Sequence, residues 1–134
     1  MTAKEYLRSI RHYRTRLNHT KKQKEELKLN LSAITGIDYT RDKIQVSPKN
    51  TMEEAGWRLA GQIAVLNREI EFLTMEINAR LTAIRALESP YSDVLMLRYS
   101  EYLSWEEIAD KMGYTVNYVM GELHGKALQK IKPV

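Results

Sequence analysis

Two long stretches of this chain repeat their apolar residues every three or four positions, the spacing that lines up side chains along one side of an α-helix. The first repeat begins after Thr2, and its positions are Tyr6, Ile10, Tyr13, Leu17, Thr20, Lys24, Leu27, Leu31 and Ile34. Two of these positions are polar. The pattern predicts a long helix that needs a partner, because a single helix cannot cover its own apolar stripe.

The second stretch begins at Thr51 and carries the most regular repeat in the chain. Isoleucine recurs every seven residues, leucine takes the second apolar position of the heptad, and the predicted seam is Leu59, Ile63, Leu66, Ile70, Leu73, Ile77, Ile84 and Leu87. Arg80 interrupts the seam, and Leu81 restores the apolar stripe one position later. Glu53 and Glu54 suit the first turn, where negative charge complements the helix dipole. A second long helix is therefore predicted.

Three arrangements bury these two seams: a helical hairpin that also dimerises, a monomeric hairpin, or an open parallel coiled coil between two chains. Isoleucine and leucine at the two heptad positions favour parallel two-stranded pairing. Apolar residues outside the seam are Met52, Trp57, Phe72 and Met75. We expect a hairpin arm over residues 1–88 that forms a homodimer, because one hairpin leaves this additional apolar surface uncovered.

The periodicity is lost over about residues 35–50, which we expect to form a loop. Turn residues gather there, whereas residues 43–47 alternate like a short strand. Loops of this length without secondary structure are uncommon, so part of this one should pack on the arm. The expected contacts are Ile37, Tyr39, Ile44 and Val46.

Three short helical patterns fill residues 89–134, after the Ser89-Pro90 pair. The first is predicted over Tyr91–Tyr102, with Val94, Leu95 and Leu97 on one side. The second opens with a capping box, in which Ser104 and Glu107 satisfy each other's backbone amides. It should end at Gly113, a residue suited to the left-handed conformation that terminates helices. Its predicted inner positions are Ile108, Ala109 and Met112.

The third pattern follows Thr115, a suitable N-cap, and runs to about Ile131. Its predicted inner positions are Met120, Leu123, Ala127, Leu128 and Ile131. A short capped helix, a tight turn containing glycine and a longer amphipathic helix make a helix-turn-helix. The sequence thus predicts an all-α protein, with a long helical hairpin or coiled-coil arm followed by a helix-turn-helix domain at 89–134.

Four segments of the C-terminal part resemble region 4 of bacterial sigma factors: Leu97–Tyr99, Leu103–Ala109, Met112–Thr115 and Leu123–Leu128. More closely, the chain resembles small phage and prophage proteins of Gram-positive hosts, the ArpU-like late-transcription regulators, which join a helical arm to such a module. The resemblance covers about a third of the chain. It implies control of transcription, with the third helix entering a DNA major groove.

Relative to that family, the chain has one residue more between Gly113 and His124. Either the turn is longer and Met120 takes the first core position of the third helix, or Val119 takes it and the helix absorbs the extra residue as a bulge near Gly121. We favour Met120, because the spacing to the next two core positions is then three and four.

The candidate DNA contacts lie at the start and on the predicted outward face of the third helix: Thr115, Asn117, Tyr118, Glu122 and Lys126. Asparagine can pair with adenine, glutamate with cytosine, and lysine with guanine or phosphate. Arg98, Lys130 and Lys132 are candidate phosphate contacts. The alternative for each is an exposed residue that serves solubility alone. His124 is expected to cap or pack between helices.

Charge is distributed unevenly within a net +4. Residues 1–31 hold nine Lys or Arg against three acids, whereas residues 89–134 hold five against six. The basic first helix is either a solvated face or a surface that lies along nucleic-acid phosphate. The slight acidity of 89–134 weakens a simple DNA-binding interpretation, since DNA-binding modules usually carry a basic face.

Several function classes are disfavoured. The chain has no cysteine, three histidines and no nucleophile beside a base, so we expect no enzyme activity, no metal and no cofactor. It has no apolar run long enough to span a bilayer, and we expect a cytoplasmic protein of a bacterial host. Two functions remain: a DNA-binding transcription regulator with double-stranded DNA as partner, or an interaction module that docks on RNA polymerase or another regulator.

Overall fold

The structure is a computed structural model, and it describes residues 2–35 and 51–132. Its helices are α1 (Ala3–Thr35), α2 (Thr51–Arg85), α3 (Tyr91–Leu95), α4 (Trp105–Met112) and α5 (His124–Lys130), with π-helical turns at Met96–Ser100 and Tyr118–Leu123. This part of the chain contains no strand, which confirms the predicted all-α class. The predicted loop, its short strand at 43–47 and the contacts expected of Ile37, Tyr39, Ile44 and Val46 lie outside the described residues.

The chain packs as two compact units. One comprises Met1–Arg14 together with Met75–Val134, and the other is Thr15–Thr74. These units do not follow the predicted boundary between residues 88 and 89. One unit thus joins the start of α1 and the last turns of α2 to α3, α4 and α5, which we call the C-terminal module. Arg80 of α2 donates to Tyr6 of α1, and Arg14 of α1 donates to Ser100 of the module.

Unit Thr15–Thr74 is a pair of antiparallel helical segments. Leu31 of α1 and Ile63 of α2 are fully buried in one apolar cluster, and Leu27, Leu59 and Ala60 pack against this cluster. Nearer the other end of the unit, an Arg16 guanidinium nitrogen lies 2.9 Å from a carboxylate oxygen of Glu69. The ion pair is partly exposed and adds little stability by itself. Apolar contact between α1 and α2 therefore holds this unit.

The seam predicted for α2 is used for packing within the chain. Its buried members are Ile63, Leu73, Ile77 and Ile84, and its half-buried members are Leu59, Leu66, Ile70 and Leu87. Leu81 is buried as expected. The buried side chains are covered within the chain, whereas the half-buried ones keep part of their surface exposed. The seam therefore packs within the hairpin, and the homodimer stays a prediction.

Arg80 interrupts the seam and is itself buried, with 4% of its surface exposed. Its Nε donates to the Tyr6 carbonyl oxygen at 3.1 Å and to Ser9 Oγ at 2.6 Å. One terminal nitrogen donates to the Glu76 carbonyl oxygen at 3.0 Å and to its carboxylate at 2.8 Å. The guanidinium carbon lies 4.4 Å and 4.6 Å from the ring centroids of Tyr6 and Tyr13. A buried charge is tolerated here because its donors find acceptors on both helices.

We predict that Arg80→Ala lowers the free energy of unfolding by about 3 kcal/mol, since it removes the guanidinium donor to Ser9 Oγ, takes one of its donors from the Tyr6 carbonyl and opens a gap between two rings. Urea denaturation followed by circular dichroism measures this. Arg85→Ala, at an exposed position of the same helix, should change stability by less than about 0.5 kcal/mol. Equal effects of the two substitutions would contradict a structural role for the Arg80 guanidinium.

Candidate nucleic-acid interface

Helix α4 begins with the predicted capping box. Ser104 Oγ accepts from the Glu107 amide at 3.2 Å, and the Ser104 amide donates to the Glu107 carboxylate at 3.3 Å. Ile108 and Ala109 are buried, as expected, and Met112 is half-buried. The helix ends at Gly113, whose φ of 75° is left-handed and whose amide donates to the Ala109 carbonyl at 2.9 Å. The first helix of the helix-turn-helix thus follows from local signals alone.

The turn leads directly into the third helix. Thr115 Oγ1 accepts from the Tyr118 amide at 3.3 Å, which confirms Thr115 as the cap. The ring centroids of Tyr114 and Tyr118 lie 5.1 Å apart, so Tyr118 covers the turn. Residues 116–130 are then helical, with the π-helical turn Tyr118–Leu123 inserted near the start.

The register favoured from sequence for this helix is wrong. Val119 is fully buried, whereas Met120 is 46% exposed. The buried apolar positions are Val119, Leu123, Ala127 and Ile131. A spacing of four overshoots one α-helical turn by about 40°, so these side chains would drift around a regular α-helix. The wider π-helical turn offsets this drift between Val119 and Leu123, and the His124 amide accordingly reaches back to the Val119 carbonyl five residues earlier.

The first helix of the module contains a similar feature. Tyr91–Tyr102 was expected to be one helix, but α3 ends at Leu95 and a π-helical turn continues to Ser100. The Glu101 amide closes that turn on the Met96 carbonyl at 3.0 Å. Tyr102 then has a φ of 60°, a conformation that bulky residues rarely adopt and that ends the helix before the expected residue.

His124 is buried between these elements. It shares a hydrogen bond of 2.7 Å, through Nε2, with the hydroxyl of Tyr99. The Trp105 ring meets the imidazole edge-on, with ring centroids 4.7 Å apart. Burial, followed by the positive charges of Lys4, Arg98 and Arg8, lowers the pKa of His124 to about 4. The imidazole is therefore neutral at pH 7 and serves packing, as expected.

The predicted outward face is exposed. Asn117, Tyr118, Glu122 and Lys126 all project from the helix, and Thr115 lies at its start. Lys126 Nζ lies 3.0 Å from the Glu122 carboxylate, one turn earlier. This hydrogen bond raises the pKa of Lys126. The two charges partly neutralise each other, whereas the Asn117 side chain has no hydrogen-bond partner among residues 2–35 and 51–132.

Two glycines also lie on this helix, Gly121 and Gly125, and the sequence analysis assigned neither a role in binding. A Cβ built on Gly121 or Gly125 would meet no atom of the described residues within 4 Å. Neither position is glycine for lack of room within the chain. The signal was visible in the sequence, since two glycines four residues apart weaken a helix interior.

The candidate phosphate contacts differ in their environment. Arg98 is half-buried, donates to the Leu103 carbonyl at 3.0 Å and lies 4.2 Å above the Trp105 ring. Its guanidinium is thus engaged within the module. Lys130 is exposed beside the Tyr91 ring, with its ammonium 4.8 Å from the ring centroid, and Lys132 is exposed.

The start of α1 brings further basic residues to the module. Arg14 donates to the carbonyl oxygen and the hydroxyl of Ser100 at 2.6 and 3.1 Å. Arg11 and Arg14 both lie over the Tyr102 ring, 5.0 and 5.9 Å from its centroid. Lys4 and Arg8 are exposed, and their charges act on His124. The start of the basic helix, up to Arg14, is therefore part of the unit that holds α3, α4 and α5.

This packing changes the electrostatic picture. Residues 89–134 alone are slightly acidic, but unit Met1–Arg14 with Met75–Val134 holds eleven Lys or Arg against nine acids, a net +2. The slight acidity of residues 89–134 therefore argues less against DNA binding by the folded unit. The first 14 residues contribute four basic side chains and one acid to that unit.

Comparisons with protein-family models, curated proteins and solved structures found no match to this chain. In the described part of the chain, no three His, Asp or Glu side chains are arranged to hold a metal ion. Among the same residues, no helix is long and apolar enough to cross a membrane.

The two registers of the third helix make opposite predictions. Val119→Ala should lower the free energy of unfolding by about 2 kcal/mol, because it leaves a cavity in the core of the module. Met120→Ala should change it by less than about 0.5 kcal/mol. Thermal and urea denaturation compare the two variants, and a larger loss in Met120→Ala would restore the register favoured from sequence.

Burial of neutral His124 makes stability depend on pH. Its pKa is about 4 in the folded chain, against an ordinary value of 6.5 for histidine. The unfolded chain therefore binds the proton first, and stability falls as the pH drops from 6.5 towards 4, by roughly 3 kcal/mol at most. Urea denaturation at pH 7 and pH 4.5 should show most of this loss. His124→Gln keeps a hydrogen-bonding group beside Tyr99 without titrating, so a variant with the same pH dependence would contradict the assignment.

Proposed function

We propose that this chain is a sequence-specific DNA-binding transcription regulator, and that helix 116–130 enters a major groove. The observation that carries the proposal is the capped helix-turn-helix with an exposed polar face on its last helix. Asn117 lies at the start of that helix, where recognition helices usually contact base edges. Asparagine forms two hydrogen bonds with adenine in the major groove.

The glycines of the third helix support the same function. Because Gly121 and Gly125 carry no side chain and have open space around them, the helix backbone can approach a groove wall or a phosphate closely. Tyr118, Glu122 and Lys126 flank this low surface. The Glu122–Lys126 pair would have to rearrange for either residue to contact a base, so we assign the first specific contact to Asn117.

Phosphate neutralisation has a source in the same unit. Lys4 and Arg8 are exposed on the first turns of α1, and Arg11 and Arg14 stand beside Tyr102. Lys130 and Lys132 add charge after the third helix. Contacts from this set to DNA would make binding fall steeply as salt rises.

The family resemblance extends the proposal. As an ArpU-like regulator of a phage or prophage, with a module like sigma region 4, the chain would act on late genes in the cytoplasm of a bacterial host. Dimeric binding would require half-sites about one helical turn of DNA apart, or a multiple of that.

A second candidate is docking on RNA polymerase or another regulator. Exposed apolar side chains favour it: Tyr114, Tyr118 and Met120 cluster at the turn and the start of the third helix. Aromatic residues and methionine are enriched at protein interfaces. In this function the third helix would contact protein rather than bases.

We predict that duplexes selected from a random DNA library with the full chain share a common sequence, and that Asn117→Ala weakens binding to it by about tenfold, as expected for loss of one bidentate base contact. On unrelated DNA the same variant should change affinity by less than about twofold, since phosphate contacts remain. Fluorescence anisotropy at several salt concentrations measures both. In the same titrations, replacing Lys4 and Arg8 with alanine should reduce the slope of log affinity against log salt by about two.

The matched controls are Asn67→Ala for the base contact, and alanine at Lys21 and Lys22 for the salt slope. All three are exposed residues of unit Thr15–Thr74. No enriched sequence, together with capture of purified RNA polymerase by the full chain, would replace DNA binding by the docking function.

A further inference from the structure

Helix α2 has a second apolar stripe on the side opposite its packed seam. Trp57, Val65 and Phe72 are 51%, 53% and 50% exposed, although they lie in the middle of a 35-residue helix. Positions 57, 61, 65, 68 and 72 follow one another at spacings of three and four, so they share one helix face. The centre of this face lies more than about 120° around the helix axis from the seam that holds Ile63 and Leu73. It belongs to unit Thr15–Thr74.

Gly61 lies at the middle of this exposed face. A Cβ at this position would meet no atom of the described residues within 4 Å, so packing within the chain does not require glycine. Glycine in a helix interior is less favourable than alanine by roughly fivefold in the helix-forming equilibrium. Glycine is used where another backbone approaches closely, as at helix–helix crossings. The face is thus shaped for a second helix to cross at Gly61.

The residues around Gly61 are arranged for self-recognition. Trp57 stands four positions before it and Val65 four after it, while Glu54 stands seven before it and Arg68 seven after it. Glu54 and Arg68 are both exposed, and neither forms an ion pair or hydrogen bond within residues 2–35 and 51–132. An acid and a base at equal distances from a central small residue face each other when two copies of the helix cross antiparallel.

We propose that two copies of this chain pair antiparallel through this face of α2, with the two Gly61 residues at the crossing point. Trp57 of each copy then lies at the level of Val65 of the other, and Glu54 of each faces Arg68 of the other. A parallel pair would place Glu54 against Glu54 and Arg68 against Arg68, which is repulsive. The charges of this face therefore favour a second copy of the same chain as its binding partner.

The proposal does not depend on DNA binding. It places the dimer expected from the sequence on the exposed face of α2 that holds Trp57 and Phe72, away from the Ile/Leu seam. The crossing residues belong to unit Thr15–Thr74, whereas the third helix belongs to the other unit.

The main test is the oligomeric state of the full chain by sedimentation equilibrium from about 1 to 100 µM, a range that resolves affinities typical of modest interfaces. Wild-type chain should be dimeric at the upper end. Gly61→Leu should weaken the dimer by at least about tenfold, because the side chain fills the crossing point. The variant should stay as helical as wild type or become more so, since leucine is the better helix former. Asn67→Leu, an exposed position off this face, is the matched control and should dimerise normally.

Charge reversal tests the pairing direction. Glu54→Arg and Arg68→Glu should each weaken the dimer, and the double variant should recover it, as should an equimolar mixture of the two single variants. Recovery by the double variant is specific to antiparallel pairing, because parallel copies would still oppose like charges. A monomeric wild type over this range, a dimer insensitive to Gly61→Leu, or a double variant no better than the singles would each overturn the proposal.

Discussion

A buried guanidinium determines how the two long helices meet at the end of the chain that carries the helix-turn-helix. Arg80 needs several acceptors at once, and it finds them on Tyr6 and Ser9 of α1 and on Glu76 of its own helix. Apolar heptads tolerate sliding, whereas a buried charge with directional donors allows few placements. The Ile/Leu seam supplies attraction over its length, and Arg80 supplies register at one point. Arg14 then bonds Ser100, so the same register reaches the module.

Local signals predicted most of the elements. The capping box of Ser104 and Glu107, the left-handed Gly113 and the cap at Thr115 each depend on residues within four positions of one another, so they can be found in sequence. The long helices and the burial of Leu81 likewise follow from periodicity. The outward face of the third helix was also placed correctly as an exposed face, because Leu123 and Ala127 define the opposite side in either register.

The errors arose where spacing left two choices or where distant residues decide. Val119 and Met120 are adjacent and both apolar, and the assumption of a regular α-helix led to Met120 as the predicted core residue. In the structure Val119 is buried instead, and the helix widens to a π-helical turn there. The sequence showed Arg80 only as an interruption of the seam. Its hydrogen bonds could not be predicted, because two of its acceptors, on Tyr6 and Ser9, lie on another helix. The grouping of Met1–Arg14 with the C-terminal module depends on contacts across more than 80 residues, such as that of Arg14 with Ser100.

The interleaving of the two units has a consequence for the order in which the chain folds. Residues 1–14 leave the ribosome before unit Thr15–Thr74, yet their partners in residues 75–134 are synthesised only after all of that unit. Within unit Thr15–Thr74, α1 can pair with α2 while the later residues are still being synthesised. This pairing shortens the loop that must close when residues 1–14 join residues 75–134, so less entropy is lost at that step. Completion of the helix-turn-helix would then be the last folding step, and ribosome-bound chains that stop short of Ser100 would hold Arg14 without its acceptors.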